Sequence, residues 1–466
     1  MESFDVVVIG AGPGGYPAAI RAAQLGARVA IVEKEELGGT CLNWGCIPTK
    51  ALIASGELAA AARHAAEMGV QIPTVTPDYA AMVARKDQIV AKLRGGIKQL
   101  LAANGVKLFQ GLASFEGRSR LLVSGAGGAA TPLGAAKTIL ATGSTSAMPG
   151  FLPKHPRVVE SRAFLELKSL PASVMVMGGG IIGCEFACLL AQLGVKVTVV
   201  EMLEDILNVV DPDVRREVRR QMETNLSIRI LCGKPLENVS AGDRGVRGSF
   251  GPEQVEAELL LVAVGRRPVT EGLMLANAGI QANPQGCIEV DECLQTAAPG
   301  VFAVGDVTPT LQLAHNATSQ GLIAAENAVS KRLRKREALV PSCIFTSPEV
   351  GTVGLTEEEA KRQGREVRVG KFMFGALGKA LAAGHTAGFV KWVADRGTDQ
   401  LLGAQAVGPH ATELIAQATL AVRAEVTARE LGRTIHSHPT MSEAWMEAAH
   451  ALHGEAIHAA PRRKAK

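Results

Sequence analysis

The feature that most constrains this chain is a repetition. Residues 5–10 (DVVVIG) are a short apolar, β-branched run ending at glycine, which reads as a buried parallel strand. Gly10-Ala-Gly12-Pro-Gly14-Gly15 follows, then an alanine-rich helical stretch to Gly26 and a second strand, residues 28–32, that ends at Glu33. The same order returns later. Residues 174–177 lead into Gly178-Gly-Gly180-Ile-Ile-Gly183, a helix to Gly194, and a strand ending at Glu201. Glycines, acid and an Ala-Gln-Leu-Gly segment (23–26 and 191–194) all recur at one offset of 168 residues. Glycines at this spacing permit a tight turn and let a pyrophosphate approach a helix N-terminus, while the acid meets a ribose hydroxyl. Two such halves predict an α/β chain that binds two dinucleotides. For Glu201 a solvated strand end is the plainer alternative.

Residues 38–50 (GGTCLNWGCIPTK) come directly after the first half and hold Cys41 and Cys46, five positions apart. That spacing is too long for a Cys-X-X-Cys pair. A continuous helix would also keep the two α-carbons beyond the roughly 4.4–6.8 Å that a disulfide needs. A bond requires the first cysteine in an irregular turn and the second on the opening turn of a helix. Gly38, Gly39 and Gly45 supply backbone freedom, and Pro48 is tolerated in a first helical turn. Three readings stay open on spacing alone: a redox pair, two small buried hydrophobes, or metal ligands. No further Cys or His cluster completes a zinc set, so no metal is expected.

If the pair is redox-active, the first nucleotide lies nearest to it. A disulfide exchanges two electrons as thiolate chemistry and nicotinamide delivers hydride, so a flavin is needed between them. FAD is therefore expected in the first site and NAD in the second. Glu201 is followed by Met202, Leu203, Glu204 and Asp205, so a 2′-phosphate would meet carboxylates and no arginine. NAD(H) is expected over NADP(H).

Composition narrows the setting. The 466 residues are enough for two to four domains, and 47% hydrophobic with 20% charged residues describes an ordinary globular protein. A net charge of +4 argues against nucleic acid or a membrane surface as partner. The basic stretch 461–466 reads as a solvated end. Eight cysteines are too sparse for a secreted disulfide scaffold, and no basic, apolar leader or membrane-length run is visible. A cytoplasmic protein is expected.

Further along, residues 138–143 (TILATG) and 259–265 (LLLVAVG) are matching strands ending at Gly143 and Gly265. Residues 301–307 (VFAVGDV) form a strand ending at Asp306, which reads as a structural cap or, beside a flavin, as an acceptor for its ribityl chain. The remainder, from 341, is mixed strands and helices with no third fingerprint. Near its end His438 and Glu443 flank a proline, and a turn there would let the carboxylate orient the imidazole and raise its basicity.

Taken together, GGTCLNWGCIPTK, the paired fingerprints, VFAVGDV and residues 436–443 (HSHPTMSE) resemble the pyridine nucleotide-disulfide oxidoreductases over essentially the whole chain, and within them the dihydrolipoyl dehydrogenases. The resemblance implies a homodimer of four-domain subunits. The expected divisions are 1–148 for FAD with the redox disulfide, 149–270 for NAD, 271–340 as a central domain completing the FAD site, and 341–466 as an α+β dimerisation domain. It implies that Cys41 is the interchange thiol that meets the lipoyl group, and that Cys46 faces the flavin in a charge-transfer arrangement. Lys50 lies near the flavin and pairs with Glu185. His438, oriented by Glu443, is the acid–base catalyst acting on the partner subunit's disulfide. Gly10, Gly12, Gly14, Gly15, Glu33, Lys50, Gly143, Asp306 and Ala314 would hold FAD. Gly178, Gly180, Gly183, Glu201 and Gly265 would hold NAD. The implied partners are lipoyl domains or the acyltransferase of a 2-oxo acid dehydrogenase or glycine cleavage complex.

Trp44, Thr49 and Asn316 depart from the commoner residues of that pattern but remove no catalytic group. The competing expectations are glutathione-type reductases, which use NADPH; mercuric reductases, which carry a C-terminal cysteine pair; transhydrogenases, which lack Cys46; and a flavin-bound subunit without turnover.

Overall fold

The computed structural model describes residues 1–125, 127–330 and 333–460; the basic stretch 461–466 lies outside the described residues. The first strand, Glu2–Ile9, is flanked by two parallel neighbours, Val29–Glu33 and Ala130–Leu140. Lys107–Gln110 extends the sheet on one side. On the other, Arg120–Ser124 and Leu112–Gly117 add antiparallel, and Val301–Ala303 pairs parallel with the end of Ala130–Leu140. Seven strands thus make one sheet.

Strand alternation decides how this sheet is covered. Val6 and Val8 join the core that holds Ala18 and Ala22 of the helix Gly15–Gln24 and Ile323 and Ala324 of the helix Ala314–Val329. Val7 and Ile9 face the opposite side, against Phe115, Leu121 and Val301. The two helices cross where Gly321 leaves no room for a side chain: a Cβ there would lie 2.1 Å from the Gly14 carbonyl oxygen.

The chain leaves this unit along Ser144–Ser146 and returns along Arg266–Pro268, and these two segments pair antiparallel with each other. Between them lies a second sheet of five parallel strands in the order 229–232, 196–201, 173–177, 259–262 and 158–160. The helix Ile181–Gln192 covers it, and a three-stranded antiparallel meander (237–257) stands beside it. The predicted α/β class with two similar halves is the observed one.

From Ser342 the chain forms a five-stranded sheet whose pairings are all antiparallel, covered by the helices Ala411–Arg423 and Glu443–His453. Two buried tryptophans centre its core. The Trp392 and Trp445 rings lie 4.6 Å apart, and their indole N–H groups donate to the carbonyls of Trp445 (3.1 Å) and Leu414 (3.2 Å) respectively. Both rings can be buried because both N–H groups find acceptors. Among the described residues, no helix is long and apolar enough to cross a membrane, and no group of three or more His, Cys, Asp or Glu side chains is placed to hold a metal ion.

Candidate active site

The two fingerprints fold alike, down to single atoms. Gly10 has φ +97° and Gly178 φ +109°, and a Cβ at either would lie 2.4 Å from a carbonyl oxygen, of Ala141 and Ala263 respectively. Gly15 and Gly183 let their helices press on the preceding strands: a Cβ would stand 1.8 Å from the Gly10 oxygen and 2.0 Å from the Gly178 oxygen. Only glycine fits these four places. The middle glycines behave differently. A Cβ at Gly180 would meet no protein atom within 4 Å, and one at Gly12 only the Gly39 α-carbon at 3.7 Å. Both face a common cleft of about 1790 Å³. Space left open in front of a helix N-terminus, where N–H groups are unpartnered, suits a pyrophosphate. The chain therefore fits a dinucleotide at each turn.

Each strand-end acid closes its turn in the same way. Glu33 accepts the Ala11 N–H (2.7 Å) and the Glu35 N–H (2.8 Å). Glu201 accepts the Gly179 N–H (2.6 Å) and the Leu203 N–H (2.8 Å). Both are buried at the cleft wall, so they carry a structural duty beside the ribose contact expected of them.

The cysteine segment is bolted to the first turn. Gly38 (φ +96°) donates its N–H to the Ala11 carbonyl (2.8 Å), and Gly39 brings its backbone so near that an added Cβ would be 2.7 Å from the Gly12 α-carbon. Asn43 donates to the carbonyls of Leu37 and Gly39, and its own oxygen accepts from Arg94 (2.8 and 3.1 Å). Sequence reasoning missed Asn43 and Arg94, which lie 51 positions apart. It also placed Cys41 in an irregular turn. Cys41 instead sits in a short helix, Gly39–Trp44, and the break falls at Gly45, after which Cys46 opens the helix Cys46–Arg63. Pro48 lies within that first turn, where its missing N–H leaves no helical bond unmade.

The two cysteines stand as neighbouring thiols, the reduced form of the redox pair that the resemblance implies. The Cys41 thiol donating to the Cys46 sulfur, with the Lys50 ammonium nearby, pulls Cys46 down to about 7 against the opposing effects of burial and Glu185. The same contact and burial push Cys41 far above the usual thiol range. A helix N-terminus adds to the stabilisation of a Cys46 thiolate. Lys50 is held by Glu185 (Nζ to Oε2, 2.7 Å), across 135 residues, while Glu185 Oε1 accepts the Phe345 N–H (2.9 Å). The ammonium also stands 4.5 Å from the Phe345 ring centre. Trp44 carries the Arg162 guanidinium on its face at 3.7 Å, and Arg162 pairs with Glu35 (3.2 Å).

Around the rest of the cleft, Gly143 (φ +68°) and Gly265 (φ +119°) face open space where the strands hand over to the crossing segments. Gly14 is packed against Val304 and Ala317, and Ala314 opens its helix at the cleft edge. Asp306 lies on the turn Gly305–Val307 and accepts the Ser144 hydroxyl (2.6 Å); Arg266 Nε donates to the same hydroxyl oxygen (2.7 Å) and stands 3.9 Å from Asp306. Ser144 and Arg266 were not singled out from sequence. The departure noted at Asn316 is buried, with its amide donating to the Leu311 carbonyl (2.8 Å).

The expected histidine and glutamate form a group of their own. His438 and Glu443 meet as anticipated, Nδ1 to Oε1 at 2.8 Å, and Glu443 also accepts the Thr440 N–H (2.8 Å). Burial works against the Glu443 carboxylate, but the Thr440 N–H and His438 hold it below its ordinary range. A carboxylate only accepts, so Nδ1 carries the proton and Nε2 is left as the basic nitrogen. His438 is exposed, and neither it nor Glu443 lines the cleft that holds the cysteines of its own chain. The loop after Glu201 carries a correction. Two arginines do reach it: Arg219 and Arg215 lie 2.7 and 3.2 Å from the Asp205 carboxylate. They come from a helix that starts seven positions after Asp205, so the order of residues hid them.

These features have counterparts among known proteins. The family described as pyridine nucleotide-disulphide oxidoreductase matches residues 4–321, and its dimerisation domain matches residues 340–449. A dihydrolipoyl dehydrogenase of Halobacterium salinarum is 45% identical, over 97% of this chain and 97% of its own length. One from Thermus scotoductus is 42% identical over 98% and 99%. Among solved structures, LpdA from Mycobacterium tuberculosis superposes with a TM-score of 0.90 at 27% identity, covering 97% of this chain and 100% of its own. The HOCl-induced flavoprotein disulfide reductase RclA of Escherichia coli, as a Cu(II) complex, gives 0.88 at 29%, covering 96% and 99%. With both domains matched and near-full-length relatives above two-fifths identity, the chain belongs to the pyridine nucleotide-disulphide oxidoreductases and, within them, to the FAD- and NAD-dependent dihydrolipoyl dehydrogenases.

Proposed function

We propose that the protein oxidises protein-bound dihydrolipoamide through Cys41 and Cys46 and passes the electrons to NAD+, as a homodimer whose two sites each borrow a base from the other subunit. The observation that carries this reading is the setting of Cys46: first residue of a helix, in contact with Cys41, beside the Lys50–Glu185 pair, in a cleft lined by both fingerprints.

The chemistry assigned to this chain's residues is as follows. With the pair oxidised, His438 of the partner subunit takes a proton from one dihydrolipoamide thiol at Nε2, Glu443 holding Nδ1 so that the basic nitrogen points outward. The thiolate attacks Cys41 Sγ, the Cys41–Cys46 bond breaks, and Cys46 leaves as a thiolate that Lys50 and the helix N-terminus stabilise. The second substrate thiol then attacks the substrate sulfur bound to Cys41 while its proton passes to the departing Cys41 sulfur, which releases closed lipoamide and Cys41 as a thiol. When bound, FAD would be held by Gly10, Gly12, Gly14, Gly15, Glu33, Lys50, Gly143, Asp306 and Ala314 and would supply the two-electron relay between this dithiol and NAD+, itself held by Gly178, Gly180, Gly183, Glu201 and Gly265. A reducing cytoplasm is the setting proposed for this chemistry. Division of the chain at 148/149, 270/271 and 340/341 is part of the same proposal, with lipoyl domains of a 2-oxo acid dehydrogenase or glycine cleavage complex as partners.

The test is NADH oxidation with lipoamide, glutathione disulfide and Hg²⁺ in parallel. Turnover with lipoamide, abolished by Cys46→Ser and reduced roughly 10²-fold or more by His438→Ala, is the expected result. Turnover with another acceptor and none with lipoamide replaces the substrate, and no turnover from FAD-loaded protein with an intact dithiol leaves a flavoprotein without this catalysis.

A further inference from the structure

The second fingerprint differs from the first in what its acid is followed by. Asp205 receives two guanidinium groups from one face of the helix Pro212–Thr224, Arg215 and Arg219 being four positions apart. Arg215 Nη1 also donates to Asn208 Oδ1 (2.7 Å), and Arg219 Nε to Glu223 (3.1 Å). Arg219 Nη1 stands 3.9 Å from the Cys232 sulfur, and Cys232 is the strand partner of Glu201. Arg219 therefore stands near the strand end whose carboxylate the ribose would meet, and Arg215 lies one helical turn before it. Asp205 and Asn208 line the cleft, whereas Arg215 and Arg219 do not.

We infer that Asp205 is a positioning residue for nucleotide specificity: by engaging Arg215 and Arg219 it keeps both out of the cleft and denies a ribose 2′-phosphate its cationic partners. This rests on the reading of the second fingerprint as the nicotinamide nucleotide site. A 2′-phosphate is a dianion best held by guanidinium forks. Here those forks lie outside the cleft and are held by a carboxylate that lines it. The selectivity of this site is a matter of where two arginines are tied, and Glu201 supplies only half of it.

Asp205, Arg215 and Arg219 are half-buried, and a purely structural role for Asp205 makes a different prediction. A loosened loop would weaken every ligand equally. The experiment is isothermal titration of the FAD-loaded dimer with 5′-AMP and with adenosine 2′,5′-bisphosphate, the bound FAD leaving the second site open to these probes. In Asp205→Asn the affinity ratio is expected to move toward the bisphosphate by roughly tenfold, about 1.4 kcal/mol. Asp205→Ser gives the same shift, which guards against a folding defect in either variant, and Asp205→Glu keeps the native ratio. Adding Arg215→Gln and Arg219→Gln to Asp205→Asn removes the gain. A ratio unchanged in both Asp205→Asn and Asp205→Ser, a parallel loss of both ligands, or a gain that survives loss of the arginines overturns the inference. If the native dimer binds neither NAD+ nor 5′-AMP, the assignment of the second site falls, and this inference with it.

Discussion

The two dinucleotide turns of this chain are near copies, and almost everything that distinguishes their work lies in the residues after them. In both, two glycines and one acid reproduce the same close approaches and the same pair of backbone hydrogen bonds. After the first, the chain lays a cysteine segment directly on the turn through Gly39. After the second, it runs into a loop whose carboxylate collects two arginines. The turn itself only offers a place for a pyrophosphate. Reactivity and selectivity are written by what packs beside it.

The sharpest way to test that separation is Cys46→Ser. Dithiol chemistry should disappear, with lipoamide turnover down by at least about 10³-fold, while titration of 5′-AMP into the second site is unchanged. A parallel loss of nucleotide binding would mean that the halves are not independent. Next come the matched variants Gly15→Ala and Gly183→Ala. Each adds a methyl group where a carbonyl oxygen stands within 2.0 Å, so each should destabilise its own unit by about 1–3 kcal/mol. The first should release FAD, read by flavin fluorescence, and the second should spare FAD and weaken 5′-AMP. A smaller effect is expected from charge around the dithiol. Lys50 favours the Cys46 thiolate and Glu185 opposes it. Lys50→Met should therefore raise the midpoint of Cys46 alkylation by iodoacetamide from about 7, by about one pH unit, and Glu185→Gln should move it downward. Movement in the same direction for both would break the assignment. Smallest is Trp44→Phe, which trims the face that carries Arg162 and should cost about 0.5–1 kcal/mol, seen as a thermal midpoint shifted by a degree or two and no change in the second half.

What the sequence discloses depends on how far apart the partners lie. Gly10, Gly12 and Gly15 reveal their turn because the geometry is local and only glycine satisfies it, and the repeat at Gly178 doubles the signal. His438 and Glu443 are five apart and one turn joins them. Lys50 and Glu185 came only from family resemblance, since nothing near either residue announces a partner 135 positions away. The Ser144–Asp306–Arg266 cluster, the Asn43–Arg94 staple and the Gly321–Gly14 crossing were invisible for the same reason. The loop after Glu201 shows the opposite error. Reading only contiguous residues found three acids and no arginine, when folding brings two arginines to one of those acids. Cys41 is a subtler case: its helix is so short that the glycines around it read as a turn.

The paired segments Ser144–Ser146 and Arg266–Pro268 carry a consequence for how the polypeptide is made. The second sheet has all five of its strands once residue 262 has been synthesised, whereas the first sheet waits for Val301–Ala303. As the chain emerges from a ribosome, the unit encoded second is therefore the one that can close first. The N-terminal half, with its two cysteines, stays a strand short, and its core remains open, until the inserted unit is already in place beside it.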